Sequence, residues 1–163
     1  MRNFLVLAMV VLSAMVAGNA FAANNTPQTI TYQVSAINEI SVSGNPGALI
    51  VVTAVPGSQP TAVTDATTTY AITTNIANKK ITGALSSAMP DNTALKVTLV
   101  APTGGTSSGQ VTLTATAQNL VTGISTLAQS GLSISYNFSA TLAAGVIGSA
   151  VKTLTLTVID GAV

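Results

Sequence analysis

Residues 110–116 read QVTLTAT and residues 153–158 read TLTLTV, so threonine alternates with aliphatic residues in both stretches. Successive side chains of a β-strand point to opposite faces, which gives such a strand one aliphatic face and one hydroxyl face. Threonine and valine also favour strands, because a branched Cβ suits the pleated surface. Residues 132–138, LSISYNF, alternate in the same way. These patterns predict strands that each cover one side of an apolar core.

Turn-forming residues separate the alternating stretches. The sequence reads GNPG at 44–47, PGSQP at 56–60, MPDN at 89–92 and PTGGTSSG at 102–109, and such residues supply the backbone angles that turns require. No stretch combines helical periodicity with helix caps. Many short strands at this spacing predict an all-β fold, a single antiparallel β-sandwich of Ig-like or jelly-roll-like type. The predicted strands cover 29–36, 37–43, 48–54, 68–74, 79–86, 94–101, 110–118, 131–141 and 152–160.

The first 22 residues have the features of a secretory signal peptide. Arg2 gives a positive n-region, and residues 4–17 (FLVLAMVVLSAMVA) are uncharged but shorter than the roughly 20 residues that span a bilayer. Ala20 and Ala22 form the small-x-small pattern of a cleavage site. Cleavage after Ala22 leaves residues 23–163 as a single β-sandwich domain. We expect export to the periplasm, the cell surface or the extracellular space, with no membrane insertion after cleavage.

The charge balance favours self-association. The sequence contains five Lys and Arg and four Asp and Glu. Arg2 is the single arginine, so removal of the predicted signal peptide leaves four lysines against four acidic residues. A neutral surface argues against nucleic acid or anionic lipid as a partner, because both are bound through clustered basic residues. Near-zero net charge also leaves little repulsion between copies of the protein.

The composition argues against an enzyme. The sequence has no His, Cys or Trp, so the usual zinc, haem and iron–sulfur ligands and the Ser-His-Asp and Cys-His arrangements are missing. Ser149 and Lys152 match the S-x-x-K pattern of serine acyl-enzymes, but this match leads into a predicted strand and has no companion motif. The four carboxylates are isolated from one another in sequence. We expect no catalytic residue, no cofactor and no metal.

Residues 29–36, TITYQVSA, form an alternating segment soon after the predicted cleavage site. Strand periodicity would place Ile30, Tyr32, Val34 and Ala36 on one face. Two interpretations remain open. The segment is either the first strand of its own domain, or residues 23–36 form a donor strand that completes the sheet of a neighbouring copy, the mode called donor-strand complementation. In the second case those four residues form an assembly strand.

These features together resemble secreted bacterial fibre subunits, both pilins and biofilm-matrix filament proteins. The resemblance comprises the signal peptide, the alternating N-terminal segment, the Thr/Ala/Val/Gly-rich sandwich and a terminal strand over residues 154–159. It covers the whole of residues 23–163 as a shared texture without a diagnostic motif. The sequence departs from chaperone–usher pilins in having no cysteine, and from sortase-linked fibres in having no C-terminal sorting motif. The resemblance assigns no functional residue.

We therefore expect an exported structural protein of the cell surface, of a fibre or of the extracellular matrix. It would act by β-strand-mediated assembly or adhesion, with copies of itself or other surface proteins as partners. The alternative is a monomeric secreted module that binds a glycan or surface ligand through its loops at 56–65 and 102–109, since loops at the ends of a sandwich commonly carry recognition. Exposed aromatic side chains would favour the binding module, and an unpaired sheet edge would favour assembly.

Overall fold

A computed structural model describes residues 25–161. The chain divides into two units, Met1–Gln33 and Val34–Val163. Residues 25–33, the described part of the first unit, contain no helix or strand. The described part of the second unit forms one short 3-10 helix, Leu142–Ala144, and nine strands. The strands are β1 (Asn38–Val42), β2 (Val63–Thr74), β3 (Lys79–Leu85), β4 (Thr93–Leu99), β5 (Thr106–Ser107), β6 (Val111–Thr112), β7 (Gln118–Ile124), β8 (Leu127–Ala140) and β9 (Leu154–Asp160).

The first sheet has five strands in the order β1-β2-β8-β4-β6, and every neighbouring pair is antiparallel. Its two longest strands, β2 and β8, pair along most of their length. Alternation decides which face is buried, since Tyr70 and Ile72 on β2 and Leu132, Ile134 and Tyr136 on β8 are all less than a tenth exposed. The residues between them on β8 are exposed or half-buried.

The second sheet has four strands in the order β5-β7-β3-β9 and is also antiparallel throughout. Strand β3 lies between β7 and β9. Along the β3–β9 ladder Ile81 lies opposite Val158, Gly83 opposite Leu156, and Leu85 opposite Leu154. The chain therefore has the predicted all-β character, with two antiparallel sheets.

One cluster of buried hydrophobic side chains takes members from both sheets. The first sheet contributes Tyr70, Ile72, Val97, Leu99, Leu132, Ile134 and Tyr136, and the second contributes Ile81, Leu85, Leu120, Val121 and Ile124. Leu113, between β6 and β7, completes the cluster. Partly buried hydrophobic residues pack against its margin, among them Ile40 of β1 and all three aliphatic residues at alternate positions of β9.

The stretch 110–116 forms a strand only at Val111–Thr112, so the prediction of a strand over 110–118 is wrong in its extent. The Leu113 amide donates to the carbonyl of Leu95 in the first sheet, whereas the Thr114 carbonyl accepts from the amide of Leu85 in the second. The chain passes from one sheet to the other at this point. The Thr114 hydroxyl donates to the Thr116 carbonyl at 2.8 Å and accepts from the Thr116 amide at 3.2 Å, which forms a local turn.

Two other predicted strands are absent and two strands were missed. Residues 29–36 form no ladder within the described chain, and residues 48–54 pair only through an isolated bridge between Ala54 and Pro60. Strands β5 and β7 were not predicted. Strand β7 departs from alternation because Leu120 and Val121 are adjacent and both buried, at an irregularity in its pairing with β3.

Candidate assembly surface

The predicted assembly strand lies outside every strand of the described chain. We call residues 29–36 the assembly segment. Ile30, Tyr32 and Val34 are 79, 90 and 80 % exposed, and Ala36 is exposed as well. The segment has no strand assignment within the described residues. Its alternating apolar side chains have no covering partner among the residues that the structure describes.

The C-terminal end of the assembly segment is held by Asn75, directly after β2. The main-chain amide of Asn75 donates to the Ile37 carbonyl at 3.2 Å. The Ile37 main-chain amide donates to Asn75 Oδ1 at 2.8 Å, and Asn75 Nδ2 donates to the Ser35 carbonyl at 2.9 Å. These three bonds continue the β1–β2 pairing for residues that precede β1.

Strand β9 forms one edge of the second sheet and pairs only with β3 within the described residues. The Gly161 amide donates to the Asn78 carbonyl, and the Ser86 amide donates to the Thr153 carbonyl. In an antiparallel ladder the direction of the main-chain groups alternates with each residue. The amide and carbonyl groups of Leu154, Leu156 and Val158 therefore face away from β3, toward the open edge.

The inner face of β9 is less well covered than that of β3. Ile81 and Leu85 of β3 are 0 and 4 % exposed, whereas the residues opposite them, Val158 and Leu154, are only partly buried. Leu156 is partly buried too, opposite Gly83. An edge strand loses cover because no strand follows it. The β9 edge thus combines free main-chain groups with an incompletely buried aliphatic face.

An ion pair fixes the C-terminal end of β9. The ammonium group of Lys79, whose side chain is 9 % exposed, donates to the carboxylate of Asp160, its cross-strand partner. Lysine at the start of a predicted strand is typical of residues that block unwanted edge pairing. Lys79 does not act in this way, since β3 is an interior strand and the side chain is buried. Its contact with Asp160 joins the edge strand to the sheet.

The other sheet edges in the described chain are shorter. Strands β5 and β6 have two residues each, and β1 has five, including the charged Glu39. Strand β9 has seven residues and carries a single charged residue, Asp160, at its end. Cα atoms of β1 and β9 come within 8 Å of one another. Among these edge strands, β9 is the longest.

The loops proposed for ligand binding do not contribute to the two best-formed surface depressions of the described chain. The two best-formed surface depressions lie along β1, β2 and β8, with Ala71 and Thr73 in both. Neither includes a residue of 56–65 or 102–109. Among the aromatic residues of the described chain, Tyr70 and Tyr136 are buried and Phe138 is half-buried. Tyr32 is the exposed one, and it belongs to the assembly segment.

Several titratable side chains among residues 25–161 make hydrogen bonds within the fold. The acidic residues form no group of three or more that could hold a metal ion. Hydrogen bonds from the amide and hydroxyl of Thr67 and from the Gly47 amide keep the pKa of Asp65 below its ordinary 3.8. Burial raises the pKa of Tyr70 to about 12, and its hydroxyl donates to the Val100 carbonyl at 2.6 Å. Lys152 Nζ donates to Ser87 Oγ at 2.5 Å, which does not provide the S-x-x-K geometry.

The predicted cleavage residues Ala20 and Ala22 lie outside the described residues, as does most of the predicted signal peptide. The described chain contains no helix with the length and apolar character that crossing a bilayer requires.

No model of a known protein family matches the chain, and no curated protein matches it either.

Proposed function

We propose that the protein is an exported structural subunit of a surface fibre or extracellular matrix, and that it assembles by strand addition. The assembly segment of one copy adds to the β9 edge of a second copy. One observation carries this proposal: within the described residues, the same chain contains an alternating segment with exposed apolar side chains and a seven-residue edge strand that is hydrogen-bonded to a neighbouring strand on one side only. Each feature supplies what the other lacks.

The two surfaces match in length and chemistry. Residues 30–36 and β9 each have seven residues. A strand added beside β9 would accept and donate hydrogen bonds at Leu154, Leu156 and Val158, whose main-chain groups face the open edge. Ile30, Tyr32 and Val34 would then lie beside the partly buried aliphatic face of β9. Full burial of a large apolar side chain contributes about 1.5–3 kcal/mol, so the three together offset much of the entropy lost on ordering the segment.

The proposal includes the finer features expected from the sequence. The two antiparallel sheets would be the two layers of a single sandwich over residues 37–160, since both contribute to one buried cluster. Cleavage after Ala22 would leave the assembly segment close to the new N-terminus. Balanced charge would let copies approach one another with little repulsion. Assembly of this kind, between copies of the chain or with other surface proteins, would require no enzyme activity, cofactor, nucleic acid or lipid.

Electron microscopy and sedimentation of the purified chain beginning at Ala23 test the proposal. Val34→Asp places a charge on the apolar face of the assembly segment, and we expect it to abolish assembly. Gln33→Asp introduces the same charge one residue away, on the opposite face of a strand, and should leave assembly intact. Both side chains are exposed, so neither change should alter the stability of the monomer by more than about 0.5 kcal/mol.

A second pair of variants tests the β9 edge. Val158→Pro removes a main-chain N–H that faces the open edge and leaves the β3–β9 ladder intact, as edge strands tolerate. Val158→Ile keeps the N–H and serves as the matched control. We expect Val158→Pro and Val34→Asp each to be monomeric alone. Mixed together, they should form a one-to-one dimer, because one retains a working segment and the other a working edge.

Several results would contradict the proposal. Filaments formed equally well by Val34→Asp and Gln33→Asp would exclude the assembly segment. Strand addition between copies would be excluded if the parent chain is monomeric and the Val158→Pro and Val34→Asp chains form no mixed dimer. A folded parent chain in which residues 29–36 are protected from hydrogen exchange while it remains monomeric would show that the segment pairs within its own chain.

A further inference from the structure

We infer that the side-chain amide of Asn75 positions the assembly segment for donation to a second copy. The inference rests on the proposed function and names a residue that acts on the segment without contacting the acceptor. Asn75 would replace peptide groups that β2 no longer supplies. It would thereby extend strand geometry beyond β1, to the residues from which the assembly segment leaves the domain.

The hydrogen bonds at the end of the β1–β2 ladder show where the Asn75 side chain takes the place of main-chain groups. The regular pairing begins at Asn38 opposite Thr74, which puts Ile37 opposite Asn75. In a hydrogen-bonded antiparallel pair, each residue donates to the main-chain carbonyl of the other. The Asn75 amide follows this rule and donates to the Ile37 carbonyl. The Ile37 amide does not, because it donates to Asn75 Oδ1 at 2.8 Å.

The next hydrogen-bonded position departs from the regular ladder in the same way. Regular pairing would place an amide from residue 77 on the Ser35 carbonyl. Strand β2 ends at Thr74, and the chain turns between residues 75 and 78. Asn75 Nδ2 donates to the Ser35 carbonyl at 2.9 Å instead. An asparagine amide has the same acceptor and donor as a peptide group, so one side chain supports two successive ladder positions.

This contact has a consequence for strand addition. Ser35 and Ile37 are hydrogen-bonded to Asn75 at the positions that would continue the β1–β2 ladder, so Val34 and Ala36, which alternate with them, should be directed to one common face. Residues already held as a strand lose less conformational freedom when they bind. Val34 and Ala36 belong to the apolar face of the assembly segment. Loss of the Asn75 amide should therefore weaken donation and leave acceptance unchanged.

The mixed dimer of Val158→Pro and Val34→Asp separates these two roles. The Val158→Pro chain acts only as donor, and the Val34→Asp chain acts only as acceptor. Asn75→Ala is introduced into one partner at a time, and the dissociation constant is measured by sedimentation. With Asn75→Ala in the donor chain, we expect the Kd of the mixed dimer to be about tenfold larger. The same change in the acceptor should leave Kd within about twofold.

A second variant and a second measurement make the test sharper. Asn75→Asp keeps an acceptor for the Ile37 amide and loses the donor for the Ser35 carbonyl. With Asn75→Asp in the donor chain, the Kd should therefore be larger than with Asn75 intact. Hydrogen exchange of the Ile37 amide in the monomeric Val34→Asp chain should be slow and should accelerate when Asn75→Ala is added. Equal loss of affinity in both placements would indicate a general structural role and overturn the inference. An unchanged Kd in the donor would overturn it as well.

Failure of the inference and failure of the proposed function are distinguishable. If the mixed dimer does not form even with Asn75 intact, the proposed function fails. If the dimer forms and is indifferent to Asn75 in the donor, the proposed function stands and the positioning role is refuted.

Discussion

Gly83→Ala is expected to destabilise the domain by crowding the contact between β3, β7 and β9. A Cβ built at Gly83 lies 2.7 Å from Leu120 Cδ1, 3.2 Å from Leu154 Cδ1 and 3.4 Å from Leu156 Cδ2. Favourable carbon–carbon contacts lie at about 3.5–4.0 Å. The glycine lets aliphatic side chains from both neighbouring strands meet over β3. It therefore helps to seat β9, the edge strand proposed as the acceptor.

The magnitude follows from which neighbours can move. Leu120 is 1 % exposed and has little room to change rotamer, whereas Leu154 is partly buried and can shift outward. Overpacking of this kind costs about 1–3 kcal/mol. The reduced freedom of alanine in the unfolded chain returns about 0.4–1 kcal/mol. We expect a net loss of about 1–2 kcal/mol, which lowers Tm by roughly 3–6 °C in a domain of this size.

Urea unfolding of a monomeric background checks this value, because assembly would add a concentration-dependent term to the stability. The Val34→Asp chain provides that background. Gly148→Ala is the matched control, since a Cβ at Gly148 meets no atom within 4 Å and its φ is not positive. The control should be neutral or slightly stabilising. If Gly83→Ala proves as stable as Gly148→Ala, the packing argument for the β9 edge is refuted.

Three further predictions concern single contacts. Because burial raises the pKa of Tyr70 from its ordinary 10.0 to about 12, the unfolded chain loses this proton first, and the free energy of unfolding should fall as pH rises from about 10 to about 12. Urea midpoints across that range should decline less steeply in Tyr70→Phe. Asp160→Asn should cost about 1 kcal/mol by removing the partner of Lys79, and added salt should reduce the difference in urea midpoint. Thr114→Val removes a turn bond and should cost about 1 kcal/mol in thermal unfolding, against little change for the exposed Thr112→Val.

The strands with regular alternation could be predicted from the sequence. Strand β9 lies within the predicted strand at 152–160, and most of β8 lies within the prediction at 131–141. Apolar residues alternate over 154–158 in β9 and over 132–138 in β8, so the inward-facing side chains of these stretches follow directly from strand geometry. Residues 29–36 alternate as well but form no strand within the described chain. Alternation specifies a surface suited to pairing, and the partner must come from elsewhere.

Other features depend on contacts distant in sequence. The end of β6 follows from the change of pairing partner between Leu113 and Thr114, which no local pattern encodes. Strand β7 was missed because two of its three buried residues, Leu120 and Val121, are adjacent, at an irregularity in its pairing with β3. Asn75 looks in the sequence like an ordinary turn residue after a strand. Its contacts with Ser35 and Ile37 become evident only when residues about 40 positions apart lie side by side.

The position of β9 in the chain also sets the order in which the fold can be completed. β3 and β9 pair across large separations in sequence, and their terminal partners, Lys79 and Asp160, are 81 residues apart. The second sheet cannot reach its full width until β9 has been synthesised. Folds dominated by such distant pairings form slowly. A chain emerging N-terminus first thus has its assembly segment available long before the edge that would receive a segment from another copy. Under the proposed function, a partly synthesised chain would therefore offer a donor strand before it could accept one.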